Sequence, residues 1–311
     1  MAAQNYQTVQ IILAEPRPEM GNALQAAMQP RGLREISVCR NVDGLMAALD
    51  QTLVDVLLCD IELSGLKFRE TMQLIRNNEI GRNPFMHIVA MVGLSGRDMV
   101  QRLMGAGVDD LIRKPMPAAR LAGRFDIMTR PRKPFIVGDS YVGPNRRRIP
   151  RAGDAYHMVS VPNSLRSKSV DNLHPTQVQD LIDRAWVEVA DRKSRSRRDV
   201  IGVLTRRVMS FYDGQGSPDE LRRDLRYLMV KAEELIRRHW ETETAHVAEI
   251  AACMSGVARR IMQSPTDPGE TDLKLMPHLA DATRISSQSP NESVDTVREI
   301  VGLIRGYLKV G

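Results

Sequence analysis

The chain is poor in aromatic residues and in cysteine. Phe, Trp and Tyr make up 4% of the 311 residues, whereas hydrophobic residues as a whole make up 42%. An apolar fraction of this size with so few rings favours helical or α/β packing of Leu, Val, Met and Ala over a β-sandwich. The three cysteines, Cys39, Cys59 and Cys253, are odd in number and lack CxxC spacing. They exclude a disulfide framework and a cysteine-rich zinc site, and they predict buried thiols in a reducing compartment.

Long hydrophobic runs are also absent. No stretch approaches the roughly 18 apolar residues of a transmembrane helix. The first five residues contain no basic segment followed by an apolar one, so we expect a soluble, cytoplasmic protein.

Positive charge is concentrated in one segment of the chain. Residues 129–210 carry 17 basic and 8 acidic side chains, within a net charge of +6 for the whole chain. Such asymmetry weakly indicates a charged partner.

The first 128 residues alternate between short apolar runs and helical patterns. Strands are predicted at 8–14, 33–38, 53–60, 86–92 and 110–113, and helices at 18–28, 43–49, 68–76, 97–104 and 118–125. Asp43 is predicted as the cap of the second helix. Strands that alternate with helices form a parallel sheet covered by helices on both faces. We therefore predict a flavodoxin-like, doubly wound α/β domain with five parallel strands over residues 1–128.

Three of the predicted strands run directly into a charged residue. Glu15 follows the first strand, Asp60 ends the third and Lys114 follows the fifth. Because open α/β sheets bind ligands beyond the carboxyl ends of their strands, these side chains should meet at one edge. Carboxylates there can ligate Mg²⁺, and the lysine can neutralise a phosphoryl group. The alternative interpretation of Asp60 is a capping or loop acid that follows a core strand.

A motif around the fifth predicted strand carries a family resemblance. The decapeptide Ala106–Pro115 reads AGVDDLIRKP. It is similar to the signature around the Lys-Pro pair of receiver domains in bacterial two-component response regulators, and the resemblance covers about residues 8–127. It implies a regulator in a phosphorelay and not a metabolic enzyme. A sensor histidine kinase or a phosphotransfer protein would then be the partner that supplies the phosphoryl group.

The resemblance also implies roles for individual residues. Asp60 corresponds to the phosphoacceptor, and Lys114 corresponds to the phosphate-binding lysine. Glu15, Asp60 and the backbone carbonyl of Glu62 correspond to the ligands of a Mg²⁺ ion.

Several positions depart from the family pattern. Pro16 stands where receivers usually carry a second acid, so we expect weak Mg²⁺ binding, because affinity follows the number of charged ligands. The two switch positions are atypical, since Val92 has no hydroxyl for a phosphoryl group and Leu111 replaces an aromatic residue. Ser95 would supply a hydroxyl only if its loop folded back. The alternative function is therefore that of a degenerate receiver, which acts as a scaffold without phosphorylation.

Residues 129–175 are rich in proline and glycine and contain few apolar runs, so we predict a basic linker there. Within it, Tyr141–Arg148 reads YVGPNRRR. This stretch resembles a Gly-Pro-Asp-Arg-Arg-Arg tag that follows receivers in some proteobacterial regulators. One interpretation is a solvated basic turn. The other is docking onto an acidic or phosphate-bearing partner through arginine side chains.

No strand pattern follows residue 176, and we predict a helical domain over residues 176–311. Its helices are predicted at 176–211, 218–240, 243–263, 271–285 and 292–309, with Ser217 as a cap, Pro218 at the first position and Glu220 closing a capping box. Amphipathic helices of this kind form a bundle, a homodimer seam or an output module that contacts other proteins. The basic cluster Arg192–Arg198 leaves a DNA-binding regulator as a further alternative.

Overall fold

The computed structural model describes residues 5–93, 97–146, 158–240, 242 and 245–285. Ser95 and the predicted helix at 292–309 lie outside these residues. The chain divides into two compact units, Met1–Arg192 and Lys193–Gly311, and each is described by itself.

The first unit is built around a five-stranded parallel sheet in the order β2-β1-β3-β4-β5. The strands are β1 (Gln10–Ala14), β2 (Glu35–Cys39), β3 (Val56–Asp60), β4 (His87–Val92) and β5 (Asp110–Arg113). The helices between and after them are α1 (Pro18–Met28), α2 (Val42–Gln51), α3 (Phe68–Arg76), α4 (Arg97–Gly105) and α5 (Ala118–Met128). This order and direction confirm the predicted flavodoxin-like fold, with element ends that differ from the prediction by a few residues.

Strands β3 and β4 are buried along their whole length, because helices cover both faces of the sheet. Successive side chains of a strand point to opposite faces. Accordingly, Leu57 and Ile88 belong to one apolar cluster, and Val56 and Val89 belong to the other. Apolar residues at 56–59 of β3 and 88–92 of β4 therefore fill two cores at once.

One local detail of the prediction is wrong. The cap of α2 is Asn41, whose Oδ1 accepts a hydrogen bond of 2.9 Å from the backbone N–H of Gly44. Asp43, which we predicted as the cap, lies within the first turn of the helix. An acid there is still favourable, because it faces the positive end of the helix dipole.

Much of the segment that we predicted as a linker has regular structure. Three short strands, β6 (Phe135–Val137), β7 (Val142–Pro144) and β8 (Met158–Val159), form an antiparallel sheet in the order β7-β6-β8. A short helix, α6 (Ser164–Ser169), follows. The buried residues of these strands share an apolar cluster with Phe85, just before β4, and with Val178. Strands of two or three residues are too short to show the alternation by which a strand is recognised in a sequence.

Buried polar contacts fix α6 to the amino end of the parallel sheet. The ammonium of Lys168 lies 2.7 Å from Oδ2 of Asp55, just before β3, and both side chains are buried. Asn83 donates to Oγ of Ser164 at 2.9 Å. A buried ion pair favours the one position of α6 in which both charges are paired, because a buried charge without its partner lowers the stability of the fold.

The described residues of the second unit form helices. The long helix α7 (Pro175–Tyr212) contributes its C-terminal part, and it is followed by α8 (Pro218–His239), α9 (Ala245–Gln263) and α10 (Glu270–Ile285). Leu204 of α7, Leu225 and Leu228 of α8, and Met254 of α9 are buried in one cluster. The start of α8 confirms the predicted capping box: Oγ of Ser217 accepts from the backbone N–H of Glu220, whose carboxylate accepts from the backbone N–H of Ser217.

Across the described residues, none of the helices combines the length and the apolar character that crossing a bilayer would require.

Candidate functional site

The three predicted site residues meet at the carboxyl edge of the parallel sheet. Glu15 directly follows β1, Asp60 is the last residue of β3, and Lys114 directly follows β5. Parallel strands bring these positions together because all their carboxyl ends lie at the same edge. Backbone hydrogen bonds continue the ladder one residue further, from Glu15 to Cys39 and from Lys114 to Val92. The site is therefore held by rigid strands.

Asp60 lies at the centre of the site, and its side chain is 1% exposed. The ammonium of Lys114 donates a hydrogen bond to Oδ2 of Asp60. The backbone N–H of Glu62 donates to Oδ1 at 3.0 Å. Each carboxylate oxygen of Asp60 thus has a hydrogen-bond donor. The donor to Oδ2 is an ammonium, whose positive charge can also neutralise negative charge added at this position.

Glu15 is fully buried beside Asp60. One of its oxygens, Oε1, accepts hydrogen bonds from the backbone N–H of Arg17 at 3.2 Å and from Nε of Arg17 at 3.0 Å. The other oxygen, Oε2, is buried and has no hydrogen-bond partner in the described part of the chain. It lies 3.7 Å from Nζ of Lys114. A buried carboxylate oxygen in this condition is a ready acceptor for a further donor or a cation.

Arg17 is a residue of the site that the sequence reasoning missed. Its Nη2 lies 3.9 Å from Oδ2 of Asp60, so the guanidinium spans both carboxylates. The hydrogen bond from Arg17 to Glu15, followed by the charge of Glu15, raises the pKa of Arg17. A signal was present in the sequence, because Arg17 stands between two prolines immediately after the first acid.

The donor set can accept a hard cation only at the low end of affinity. The described residues contain no group of three or more His, Cys, Asp or Glu side chains that could hold a metal ion. Two carboxylates, those of Glu15 and Asp60, lie near the ammonium of Lys114. Oxygen ligands suit Mg²⁺, and Oε2 of Glu15, which accepts no hydrogen bond in the described residues, is an oxygen that can coordinate it. The residues therefore fit the ion, with fewer charges than a strong site would supply.

The two predicted switch positions lie on β4, which neighbours β3, and on β5, the strand beyond it. Val92 ends β4 and is 4% exposed, and Leu111 lies in β5 beside Ala90 of β4 and is half-buried. Leu111 packs against the apolar cluster on one face of the sheet. Neither side chain offers a polar atom, so both are joined to their surroundings by apolar contacts.

A second charged cluster lies at the amino ends of β4 and β5, away from Asp60. Asp109 accepts hydrogen bonds from Arg76 at 2.6 Å and from Arg132. Although burial alone would raise the pKa of Asp109, the charges of Arg132 and Arg76 hold it well below its ordinary value. Burial lowers the pKa of Arg76 to about 10. His87 lies beside this cluster, and burial followed by the charge of Arg132 lowers its pKa to about 4.

Part of the basic cluster that suggested nucleic acid is inaccessible, although Arg195 is exposed. Lys193, Ser194, Ser196 and Arg198 are buried. Nε of Arg197 lies 3.1 Å from a carboxylate oxygen of Glu234 on α8. Buried and paired cations cannot reach the phosphates of a nucleic acid, which supply most of the affinity in such complexes.

Comparison with known families accounts for the arrangement at the sheet edge. Residues 11–126 match the family model described as the response regulator receiver domain. This segment is a response regulator receiver domain. Such domains are modules of two-component signal transduction, and the resemblance drawn from the Lys-Pro motif is thereby confirmed. A search of curated proteins found no match for the chain.

Solved structures similar to this chain include several receiver domains. One is the receiver domain of a sensor histidine kinase from Pseudomonas aeruginosa, described with a magnesium ion coordinated in its active-site cleft. It is 22% identical and covers 37% of this chain and 93% of its own, with a TM-score of 0.33. A response regulator from Thermotoga maritima is 18% identical, with coverages of 39% and 96% and a TM-score of 0.35. An adenylate cyclase from Rhodopirellula baltica is 17% identical, with coverages of 40% and 86% and a TM-score of 0.32.

Proposed function

We propose that the receiver domain accepts a phosphoryl group on Asp60 from a sensor histidine kinase or a phosphotransfer protein. The observation that carries this proposal is the contact between the ammonium of Lys114 and the carboxylate of Asp60 at the end of β3. A carboxylate oxygen of Asp60 attacks phosphorus, the bond from phosphorus to the donor breaks, and an acyl phosphate forms. Lys114 then neutralises part of the charge on the phosphoryl oxygens.

Mg²⁺ belongs to the same proposal as a weakly held ion. Glu15, Asp60 and the backbone carbonyl of Glu62 would hold it, and its charge would shield the phosphoryl oxygens. Two carboxylates supply little net charge for a divalent ion, so we expect weaker binding than in receivers with an additional acid.

The helical unit is proposed to pass the signal on through protein contacts. Its support is an open groove of about 960 Å³ along α7 and α8. Val203, Tyr227 and Val230 line it and are exposed, and arginines such as Arg222 and Arg226 lie beside them. Exposed apolar side chains ringed by charged ones are typical of protein interaction sites. Because Lys193 and Arg198 of the cluster at Arg192–Arg198 are buried and Arg197 is paired with Glu234, we do not propose DNA binding.

The test is phosphorylation of the full chain by acetyl phosphate, with and without Mg²⁺, followed by mass spectrometry of the peptides. We expect one phosphoryl group on Asp60 in the wild type and none in Asp60→Asn. Lys114→Ala should be modified more slowly, because the positive charge at the acceptor is lost. Asp43→Asn is the matched control, since it removes an exposed carboxylate from the same domain and should be modified like the wild type.

Absence of the modification under all these conditions would overturn the proposal. If Asp60→Asn also bound its partners as the wild type does, the scaffold interpretation would replace it. Modification at a carboxylate other than Asp60 would show that the acceptor has been assigned wrongly.

A further inference from the structure

We infer that Arg17 is a built-in counter-cation that competes with a divalent metal ion for Glu15 and Asp60. In this view the wild-type site holds a guanidinium in place of the ion, and the metal binds only when Arg17 moves away. The inference concerns the site of the proposed function, but it requires only that the two carboxylates can bind a metal.

The local sequence directs Arg17 into the site. Pro18 is the first residue of α1, and a residue before proline is restricted to extended backbone conformations. Arg17 has φ −88° and ψ 117°, as this restriction requires. In that conformation its backbone N–H and its Nε both reach Oε1 of Glu15. The backbone conformation before Pro18 therefore places Arg17 within reach of Glu15.

The contacts make the site electrically neutral. Arg17 and Lys114 bring two positive charges against the two negative charges of Glu15 and Asp60. The exposed carboxylate of Glu62 nearby adds only a solvated charge. Affinity for a hard divalent cation rises with the net negative charge of its ligands, so a neutral cluster binds it poorly. An ion between Glu15 and Asp60 would also lie a few ångströms from the guanidinium, which repels it.

Arg17 nevertheless can leave. Its side chain is 55% exposed, whereas Glu15 and Asp60 are buried. Ion pairs with one exposed partner are individually weak, because water competes for the exposed group. The second oxygen of Glu15 is already without a hydrogen-bond donor in the described residues. These features describe a competitor for the metal and not a permanent block.

The same position suits an added phosphoryl group. The Nη2 atom of Arg17 lies 3.9 Å from the oxygen of Asp60 that Lys114 also contacts. Guanidinium groups bind phosphoryl oxygens through two parallel N–H donors. Arg17 can therefore supply positive charge to a phosphorylated Asp60 that a metal ion would otherwise supply.

The experiment is calorimetric titration of the full chain with Mg²⁺, without any phosphodonor. We expect Arg17→Gln to bind Mg²⁺ about tenfold more tightly than the wild type, because the competing charge is gone. Arg17→Lys keeps the charge and should remain close to the wild type. Arg40→Gln is the matched control, since Arg40 is exposed, directly follows β2 at the same sheet edge, and is expected to change affinity by less than about twofold.

A second measurement, the melting temperature, shows whether the variant is folded and whether it binds the metal. The melting temperature of Arg17→Gln should rise with added Mg²⁺ more than that of the wild type, because a ligand stabilises the state that binds it.

Equal Mg²⁺ affinities of the wild type and Arg17→Gln, or an equal gain of affinity in Arg40→Gln, would overturn the inference. If Asp60 is not phosphorylated but Arg17→Gln gains metal affinity, only the proposed function fails. If Asp60 is phosphorylated and affinity does not change, only this inference fails.

Discussion

Arg132 donates a hydrogen bond to the carboxylate of Asp109, 23 residues before it in the chain. Both side chains are nearly buried, and Asp109 stands immediately before β5. The guanidinium of Arg132 also lies over the ring of Phe135, 4.8 Å from its centre. The pair thus joins the parallel sheet of the receiver domain to the small antiparallel sheet that follows it.

Removal of this arginine should loosen the end of the parallel sheet. We expect Arg132→Leu to lower the free energy of opening of β4 and β5 by about 3 kcal/mol, because Asp109 then keeps only part of its compensating charge. Amide hydrogen exchange of the full chain measures this value. Arg130→Leu, an exposed arginine two residues away, should change it by less than about 0.5 kcal/mol. Equal effects of the two substitutions would contradict the structural role of Arg132.

Two neighbouring glycines should respond in opposite ways to alanine. Gly107 has φ +87°, and a Cβ there would lie 2.8 Å from the carbonyl oxygen of Val142 on β7. We expect Gly107→Ala to destabilise the domain by about 2–4 kcal/mol, from backbone strain and this clash together. Gly105 ends α4 with nothing near its Cβ position. Gly105→Ala should therefore be neutral or stabilising by up to about 1 kcal/mol, as judged by urea denaturation.

If Gly107→Ala were tolerated like Gly105→Ala, β7 would not pack over Gly107 as described. The pair therefore also tests whether the segment that contains the YVGPNRRR motif is docked on the receiver domain.

Acid should destabilise the first unit through His87. Its pKa is about 4, below the 6.5 of a free histidine, so the unfolded chain binds a proton more readily between these values. The stabilisation is complete above pH 6.5 and is lost as pH falls towards 4, by roughly 3 kcal/mol in total. Arg132, Asp109 and Arg76 lie near the imidazole, and Oδ1 of Asn163 accepts a hydrogen bond of 3.1 Å from Nε2 of His87.

The measurement is the stability of wild type and His87→Gln as a function of pH. The difference between the two curves should change between pH 6.5 and 4 and stay level above pH 7. Asp109 titrates only below this window, since its pKa is lowered from 3.8. Parallel curves throughout would show that His87 is not buried as a neutral side chain.

A hydroxyl restored at the end of β4 should create a response that the wild type lacks. Val92 is buried and offers no donor to a phosphoryl group on Asp60. We expect Val92→Thr to cost about 1–3 kcal/mol without phosphate, because the hydroxyl is buried without a strong partner. On phosphorylation, amide exchange near the start of α4 should then change more than it does in the wild type. A large change confined to residues 92–98 of the wild type would contradict our interpretation of Val92.

The positions of Glu15, Asp60 and Lys114 could be predicted because each depends on one strand and its end. A strand is a local feature, and parallel strands necessarily share an edge, so residues after β1, β3 and β5 meet without any detail of packing. The same holds for the capping box of α8, whose Ser217 and Glu220 are three residues apart in the chain.

Arg17 could not be assigned in this way, although it lies two residues from Glu15. Its role depends on where the guanidinium finds carboxylates, and Asp60 comes to it through the pairing of β1 with β3. The contacts of Arg132 with Asp109, and of Lys168 with Asp55, likewise join residues that the sequence separates widely.

By itself, the sequence determined the alternating α/β pattern, the acidic and basic residues at the strand ends, and the helical character of the described residues between 176 and 285. Tertiary structure decided the rest: the contacts of Arg17 with Glu15 and Asp60, and the folding of residues 135–144 and 158–169 into the first unit. The physical reason is the range of the interactions. Periodicity and capping act within a few residues, whereas the burial of a charge or of a two-residue strand is stable only when distant segments supply its partners.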